Sequence, residues 1–338
     1  MQISAVTYGS DQCGLVCGYL FGRGPQPVPI EASEAEQWLR EPAKPAGEFI
    51  WLHFNLANTA SEKWMREHAT LANEYYDSLH EEGARSTRIE QADDTLVAVV
   101  NDVLRDFSFE PSDISSVCLS VERRLVVSAR RKPLQAVERL RQAVRGGENL
   151  VSSVVLLTHL LRDQADVLTR IVRDATAKVD RIEDNLLSGK LKYKRADLGA
   201  LRRVLVRLQR LLAPEPAALF RLLQRPPSWA SEADRQELRE STEEFAVVLN
   251  DMAALQERIK LLQEEIAALV NEANNRSLYV LTIVTVLALP INIIAGLLGM
   301  NVGGVPLAED KAGFWIIAGI VALFTVVAGA WLFRQPDD

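Results

Sequence analysis

The sequence predicts an α+β domain followed by long stalk helices and two transmembrane helices, and three observations carry that prediction. Two apolar runs without Asp, Glu, Lys or Arg, 278–298 and 314–333, lie at the end of the 338-residue chain. At about 1.5 Å of rise per residue, a run of roughly 20 residues matches a hydrocarbon core of about 30 Å. From about Leu150 to those runs the pattern is helical almost without interruption. Ahead of it, short β-branched runs alternate with amphipathic ones, the mark of an α/β mixture. The expected division is a cytosolic α/β domain at 1–148, a helical stalk at 149–276 and a two-span membrane region at 277–338.

In the first region the spacing predicts strands at 3–8, 14–21, 49–54, 95–104, 114–121 and 124–129, with Glu122-Arg123 as a tight turn. It predicts helices at 34–39, introduced by Ser33, at 60–71, and at 134–144 after Pro133. Cys13 and Cys17 are four apart in an apolar stretch and would share one face of a strand. Packing is the favoured reading, because a closed zinc site wants four ligands at tight spacing. His53, His68, His80 and His159 are scattered and read as structural residues.

The net charge of -7 argues against nucleic acid as a partner, since phosphate binding is driven by basic surface. Three cysteines, all far from the spans, and an amino terminus too short and mixed for a targeting segment point to a reduced, cytosolic setting. No phosphate-binding glycine loop, metal-hydrolase spacing or nucleophile elbow is present, so an enzyme and a resident cofactor are not expected.

The stalk pattern breaks at 188–189, 213–216 and 226–227. Between the first and last of these, Arg202, Arg203, Arg207 and Arg210 surround Leu201, Val204, Leu205, Leu208 and Leu211, which reads as a packed helix with a solvated basic face. The segment 231–275 then runs into the first span as one helix. Within it Leu255, Ile259, Leu262, Ile266, Leu269 and Ala273 step by four and three, a heptad seam that must face another helix, of this chain or of another subunit.

Inside the first span the polar side chains are Thr282, Thr285 and Asn292, and they fall on one narrow face. Asn275, Thr282, Leu289 and Gly296 share one heptad position, and Leu278, Thr285, Asn292 and Gly299 share the other. Polar side chains in hydrocarbon normally face a partner helix or a wet cavity. The threonines also have the local option of bonding back to a backbone carbonyl. Two spans cannot enclose a pore, so transport requires several copies about a cyclic axis, with the first span as the lining.

Gly299-Met300-Asn301, placed directly after the first of two carboxy-terminal spans and behind a long helix and an α/β domain, resembles the CorA superfamily of divalent-cation transporters. The continuation Val302-Gly303-Gly304-Val305-Pro306, then Gly313-Phe314-Trp315, is similar to its zinc-transporter branch, known as ZntB. Trp51-Leu52-His53 and Ala92-Asp93-Asp94-Thr95-Leu96 are similar to that branch too. The resemblance implies a funnel-shaped homopentamer in the inner membrane, with membrane lipid and divalent metal ions as its other partners and both termini cytosolic. It places Gly299, Met300 and Asn301 at the outer mouth, where the Asn301 amides meet the incoming ion. The chain departs from the magnesium branch in its loop. Leu298 stands where that branch has an aromatic residue, and a glycine pair replaces an acidic element, leaving Glu309 and Asp310 as the loop acids. Kinship therefore favours zinc, with magnesium or a broad divalent range as the alternative.

No Cys or His occurs between Arg276 and Asp338, so the expected recognition is of a hydrated ion. Asn301 and Asn292 would hold its water shell, rings of Glu309 and Asp310 would concentrate cations, and Leu278 and Leu289 would form apolar constrictions. Glu257, Glu264 and Asn271, with Asn275, continue the face below the membrane as an acidic vestibule or an ordinary solvated stalk. A reading from another class, a membrane-anchored coiled-coil scaffold or sensor, explains the heptads but not the polar face.

Overall fold

The computed structural model describes residues 9–42, 45, 47–80, 87–188, 195–300 and 312–332. The chain divides into two compact units, 1–263 and 264–338.

In the first unit, β1 (Leu15–Phe21), β2 (Val28–Pro29), β3 (Phe49–Asn55), β4 (Arg88–Ala92), β5 (Thr95–Val103), β6 (Ile114–Val121) and β7 (Leu125–Arg130) form one sheet. Its order is β2-β1-β3-β7-β6-β5-β4. Every neighbouring pair is antiparallel except β3 and β7, which run parallel with Trp51 opposite Val126.

Both faces of the sheet are covered, which is why its central strands read as nearly continuous apolar runs rather than as alternating ones. Phe49 and Trp51 of β3, Leu96, Ala98 and Val100 of β5, and Val117, Leu119 and Val121 of β6 point into one core. That core is closed by α4 (Gln135–Arg145), α5 (Ser153–Leu187) and α7 (Pro214–Gln224). The intervening residues Ile50, Leu52 and Phe54, Val97 and Val99, and Cys118 point to the opposite face. There α1 (Ala32–Arg40), α2 (Ala60–His68) and α3 (Asn73–His80) cover them through Trp38, Trp64, Met65, Tyr75 and Leu79. Each large apolar side chain so buried contributes about 1.5–3 kcal/mol.

The expected strand 3–8 lies outside the described residues. Helix α1 starts earlier than Ser33 because the Glu34 carboxylate accepts the Glu31 N–H at 2.9 Å, making Glu31 the cap. Cys13 does not share a strand face with Cys17: β1 begins at Leu15, and its register against β3 shifts between Leu15 and Cys17. Gly14, in the turn before it, has φ +83, and a Cβ there would fall 1.9 Å from Ser61 Oγ. Strand β4 and helix α3 were not expected. The helix sequence NEYYDSLH is poor in strong helix formers, and Tyr75, Tyr76 and Leu79 hold it by burial instead.

Helix α6 (Arg195–Leu212) is the packed amphipathic helix that the sequence implies: Leu201, Val204, Leu205, Leu208 and Leu211 are buried and Arg203 and Arg210 exposed. Helix α8 (Glu232–Leu298) is 67 residues long. In the first unit its start is tied to the start of α5. The Ser152 hydroxyl, which caps α5 by accepting the Val155 N–H at 3.1 Å, donates to Asp234 Oδ1 at 2.5 Å. Farther along, Arg258 pairs with Asp180 at 2.7 Å and with Glu183, so the two helices run side by side in the same direction. Arg202 of α6 donates to Gln263 of α8 at 3.3 Å. Leu255, Ile259 and Leu262 of the heptad seam are therefore covered by the chain's own preceding helices.

Candidate functional site

In the second unit α8 continues through the first apolar run, and α9 (Gly313–Leu332) forms the second, without a charged residue. By length and composition α8 carries a membrane-length apolar window. Its side chains are turned outward: Leu278, Leu281, Leu289 and Leu297 are each more than half exposed. On α9 Phe314, Trp315, Leu323 and Val326 are exposed likewise. A surface this apolar requires lipid or further protein against it. Phe314 and Trp315 meet edge to face at 5.5 Å at the first turn of α9, and Tyr279 lies near the start of the apolar stretch of α8; Trp and Tyr are the amphipathic residue types that favour membrane–water boundaries.

The polar face of α8 has a defined hydrogen-bond polarity. The Thr282 hydroxyl donates to the Leu278 carbonyl and the Thr285 hydroxyl to the Leu281 carbonyl, each at 2.8 Å. The proton of each threonine is thus spent on its own helix, and the hydroxyl oxygen is left facing outward as an acceptor. Pro290 supplies no N–H to the Val286 carbonyl, which adds a backbone acceptor to the same stretch. Asn292 and Gly296 are exposed about two and three turns beyond Thr285. The helix ends at Leu298, where the Gly299 N–H still reaches the Ala295 carbonyl at 2.9 Å. Met300 is 50% exposed just past that end. Asn301, Glu309 and Asp310 lie outside the described residues.

Toward the stalk, Asn275 and Asn271 are exposed, as are Glu264 and Glu257. Glu257 is not a bare charge, since Lys260 Nζ stands 3.0 Å from its carboxylate. Among the described residues, Asn275, Leu278, Thr282, Thr285, Leu289, Asn292 and Gly296 all lie on α8 and are exposed. Sequence reasoning missed the ion pairs of Arg258, because nothing in the spacing of α8 reveals which acids α5 presents to it.

Among the described residues no group of three or more His, Cys, Asp or Glu is placed to hold an ion. His53 is fully buried, with Nδ1 2.8 Å from Ser128 Oγ. Burial, then the charges of Arg130 and Arg141, hold its pKa well below the usual histidine value. Burial pushes the nearby Cys17 thiol up to about 12, against the pull of Arg141. His159 has its pKa raised by its hydrogen bond to Asp163, at 3.0 Å, with Glu148 on its other nitrogen.

A profile of the family described as "CorA-like Mg2+ transporter protein" matches residues 46–334. The chain is 31% identical over 294 residues to the "Divalent cation transporter CmaX" of Pseudomonas aeruginosa, covering 85% of this chain and 87% of that protein. It is 25% identical to the "Zinc transport protein ZntB" of Pectobacterium carotovorum subsp. carotovorum, covering 84% and 86%. The solved structure of full-length CmaX superposes with a TM-score of 0.79 at 27% identity, covering 96% of this chain and 98% of that one.

Proposed function

This chain belongs to the CorA-like family of divalent-cation transporters, and from that membership we propose that it carries a hydrated divalent cation, zinc ahead of magnesium, through a homopentameric passage lined by α8. The observation that carries the reading is the acceptor polarity of the α8 face. Water bound to a divalent cation points its hydrogens away from the metal, so a conduit for a hydrated ion needs outward-facing oxygen acceptors. Thr282 and Thr285 offer them because their protons are already committed to the helix backbone. Asn292 and Asn301 add amide oxygens at mid-span and at the mouth, with Gly299 and Met300 shaping the turn between them. Leu278 and Leu289, on the same face, act as apolar constrictions.

Direct zinc ligation within the spans is not part of this mechanism, because no Cys or His lies between Arg276 and Asp338. Zinc is favoured over magnesium by the named function of the ZntB relatives and by the glycine pair after Asn301, whereas the CmaX relative is named for divalent cations in general. Glu309 and Asp310 at the mouth, and Glu264 with Asn271 and Asn275 below, raise the local cation concentration at the two ends. An inside-negative potential favours inward movement by about 4.6 kcal/mol per 100 mV for a divalent ion, twice the single-charge figure. The reading sets both termini on the cytosolic side of the inner membrane.

Flux of zinc and of magnesium into proteoliposomes, for the wild type and for Asn301→Ala, tests the assignment. Zinc uptake that exceeds magnesium uptake and vanishes in an assembled Asn301→Ala protein is expected. Undiminished uptake by that variant removes the selectivity role, and absence of flux with either metal removes the transport reading in favour of a membrane-anchored scaffold.

A further inference from the structure

A buried carboxyl group, remote from the α8 face, sits where β5, α5 and α7 meet. Glu215, in the first turn of α7, and Gln164 of α5 are both 0% exposed. The Gln164 side-chain amide donates to Glu215 Oε2 at 3.3 Å and to the backbone oxygen of Asn101 on β5 at 2.5 Å. The Thr87 hydroxyl, just before β4, donates to Glu215 and accepts from the Asn101 side-chain amide at 3.2 Å. The Thr87 N–H in turn holds the Leu211 carbonyl at the end of α6 at 2.8 Å. One carboxyl group thus joins α7 to α5 directly and to β5 through Gln164 and Thr87.

The hydrogen-bond count around it is short by one proton. Among the described residues, Glu215 Oε1 and Gln164 Oε1 are buried acceptors without a donor. An ionised carboxylate would leave both unsatisfied and would place a second negative charge near Asp102, at a cost that buried charges rarely escape. A proton on Glu215 Oε1 turns that oxygen into a donor and removes the buried charge.

The surrounding charges favour the same state. Asp102 accepts the Val103 N–H at 2.7 Å on one oxygen and the Ala136 N–H of α4 at 2.6 Å on the other, whereas among the described residues Glu215 Oε1 has no donor. Burial foremost, then Asp102, pushes Glu215 up to about 8, against the hydrogen bonds from Gln164 and Thr87. Asp102 itself is pushed up to about 7 by burial and by Asp163 of α5, with Arg139 of α4 opposing. Asp163 is in turn bonded to His159. Arg88 of β4 and Arg207 and Arg210 of α6 are charged groups on the other elements beside α7.

We propose that Glu215 is a proton-binding site: protonated, it ties α7 to α5 and β5, and loss of the proton loosens that junction, so that the sheet-bearing unit responds to pH near neutrality. The inference goes beyond ion passage and does not depend on it.

The test is the melting temperature of the full-length protein in detergent, as wild type and as Glu215→Gln, from about pH 6 to about pH 9. A carboxyl whose pKa is higher in the fold than in the unfolded chain gives stability that is complete below the ordinary carboxylate range. That stability drains away as pH rises toward about 8. The wild-type melting temperature is expected to fall by several degrees relative to Glu215→Gln across the window, and the gap to level off above it. Asp102→Asn, which removes the neighbouring charge, shifts the fall to lower pH. In the infrared, the wild type shows a protonated carboxylic-acid carbonyl at neutral pH that persists in Asp102→Asn and disappears on alkalinisation. Parallel melting curves for wild type and Glu215→Gln overturn the proposal. If Glu215→Gln does not fold, absence of that carbonyl band from the wild type overturns it equally.

Discussion

Asp234 accepts the hydroxyl proton of Ser152 at 2.5 Å, so the first turn of α8 holds the cap of α5. The other carboxylate oxygen accepts both the N–H and the hydroxyl of Ser231, at 2.9 and 2.7 Å, which secures the start of α8 itself. Asp234→Ala breaks both anchors and removes a charged acceptor from half-buried Ser152 and exposed Ser231. It is expected to cost about 1–3 kcal/mol, read as a lower denaturation midpoint at unchanged slope.

Ser128 lies between two aromatic side chains. Its Oγ accepts the Trp51 Nε1–H at 2.8 Å and stands 2.8 Å from His53 Nδ1. Ser128→Ala leaves the buried indole N–H without an acceptor and should lower stability by about 1–3 kcal/mol. A loss no larger than that of a surface substitution would show that the indole finds another partner.

His53 contributes to the acid sensitivity of the first unit. Its pKa in the fold lies well below 6.5, so the unfolded chain binds its proton first. Its contribution to stability is complete above about pH 6.5 and is lost as pH falls below that value toward the folded pKa. His53→Phe is expected to flatten the decline in melting temperature on the acid side.

On the α8 face, Thr282→Val and Thr285→Val keep the shape of the side chain and remove the outward oxygen. Each is expected to lower cation flux in proteoliposomes about five- to tenfold, the equivalent of one lost hydrogen bond of about 1 kcal/mol, without loss of assembly. Equal flux in the double variant would mean that these oxygens face lipid rather than the ion's water.

Arg258 is close to half exposed, and its pairs with Asp180 and Glu183 are surface pairs. Arg258→Ala should therefore cost less than about 1 kcal/mol, and less still at high salt. A larger, salt-insensitive loss would show that the pairs are shielded in the assembled protein.

The strands were legible in the sequence because a sheet covered on both faces writes itself as uninterrupted apolar runs, as in Phe49–Asn55 and Thr95–Val103. Helices with periodic leucines, such as α6, were legible because burial of one face alone leaves a helical repeat of apolar residues. Strand β4, with Glu90 and Gln91 exposed, and α3, held by two tyrosines and a leucine, carry too little apolar pattern to stand out. The heptads of α8 announced a partner without naming it. Only the fold shows that the seam at Leu255, Ile259 and Leu262 is filled from within the chain. The polar residues Thr282, Thr285 and Asn292 stand out in the apolar run by sequence, whereas the acceptor polarity of the threonines depends on where they send their protons. The Glu215 cluster had no sequence signal at all, since Thr87, Asn101, Gln164 and Glu215 come from four separate stretches.

The parallel pairing of β3 with β7 has a consequence for biosynthesis. Trp51 and Ser128 are 77 residues apart, so the middle of the sheet cannot zip up until the ribosome has made both ends of that interval. Both strands precede the first apolar run by well over a hundred residues of translation. The sheet can therefore mature on the nascent chain while the greasy helices are still being synthesised. A stalled or misordered pairing at this step would leave insertion to proceed with an unfinished domain attached.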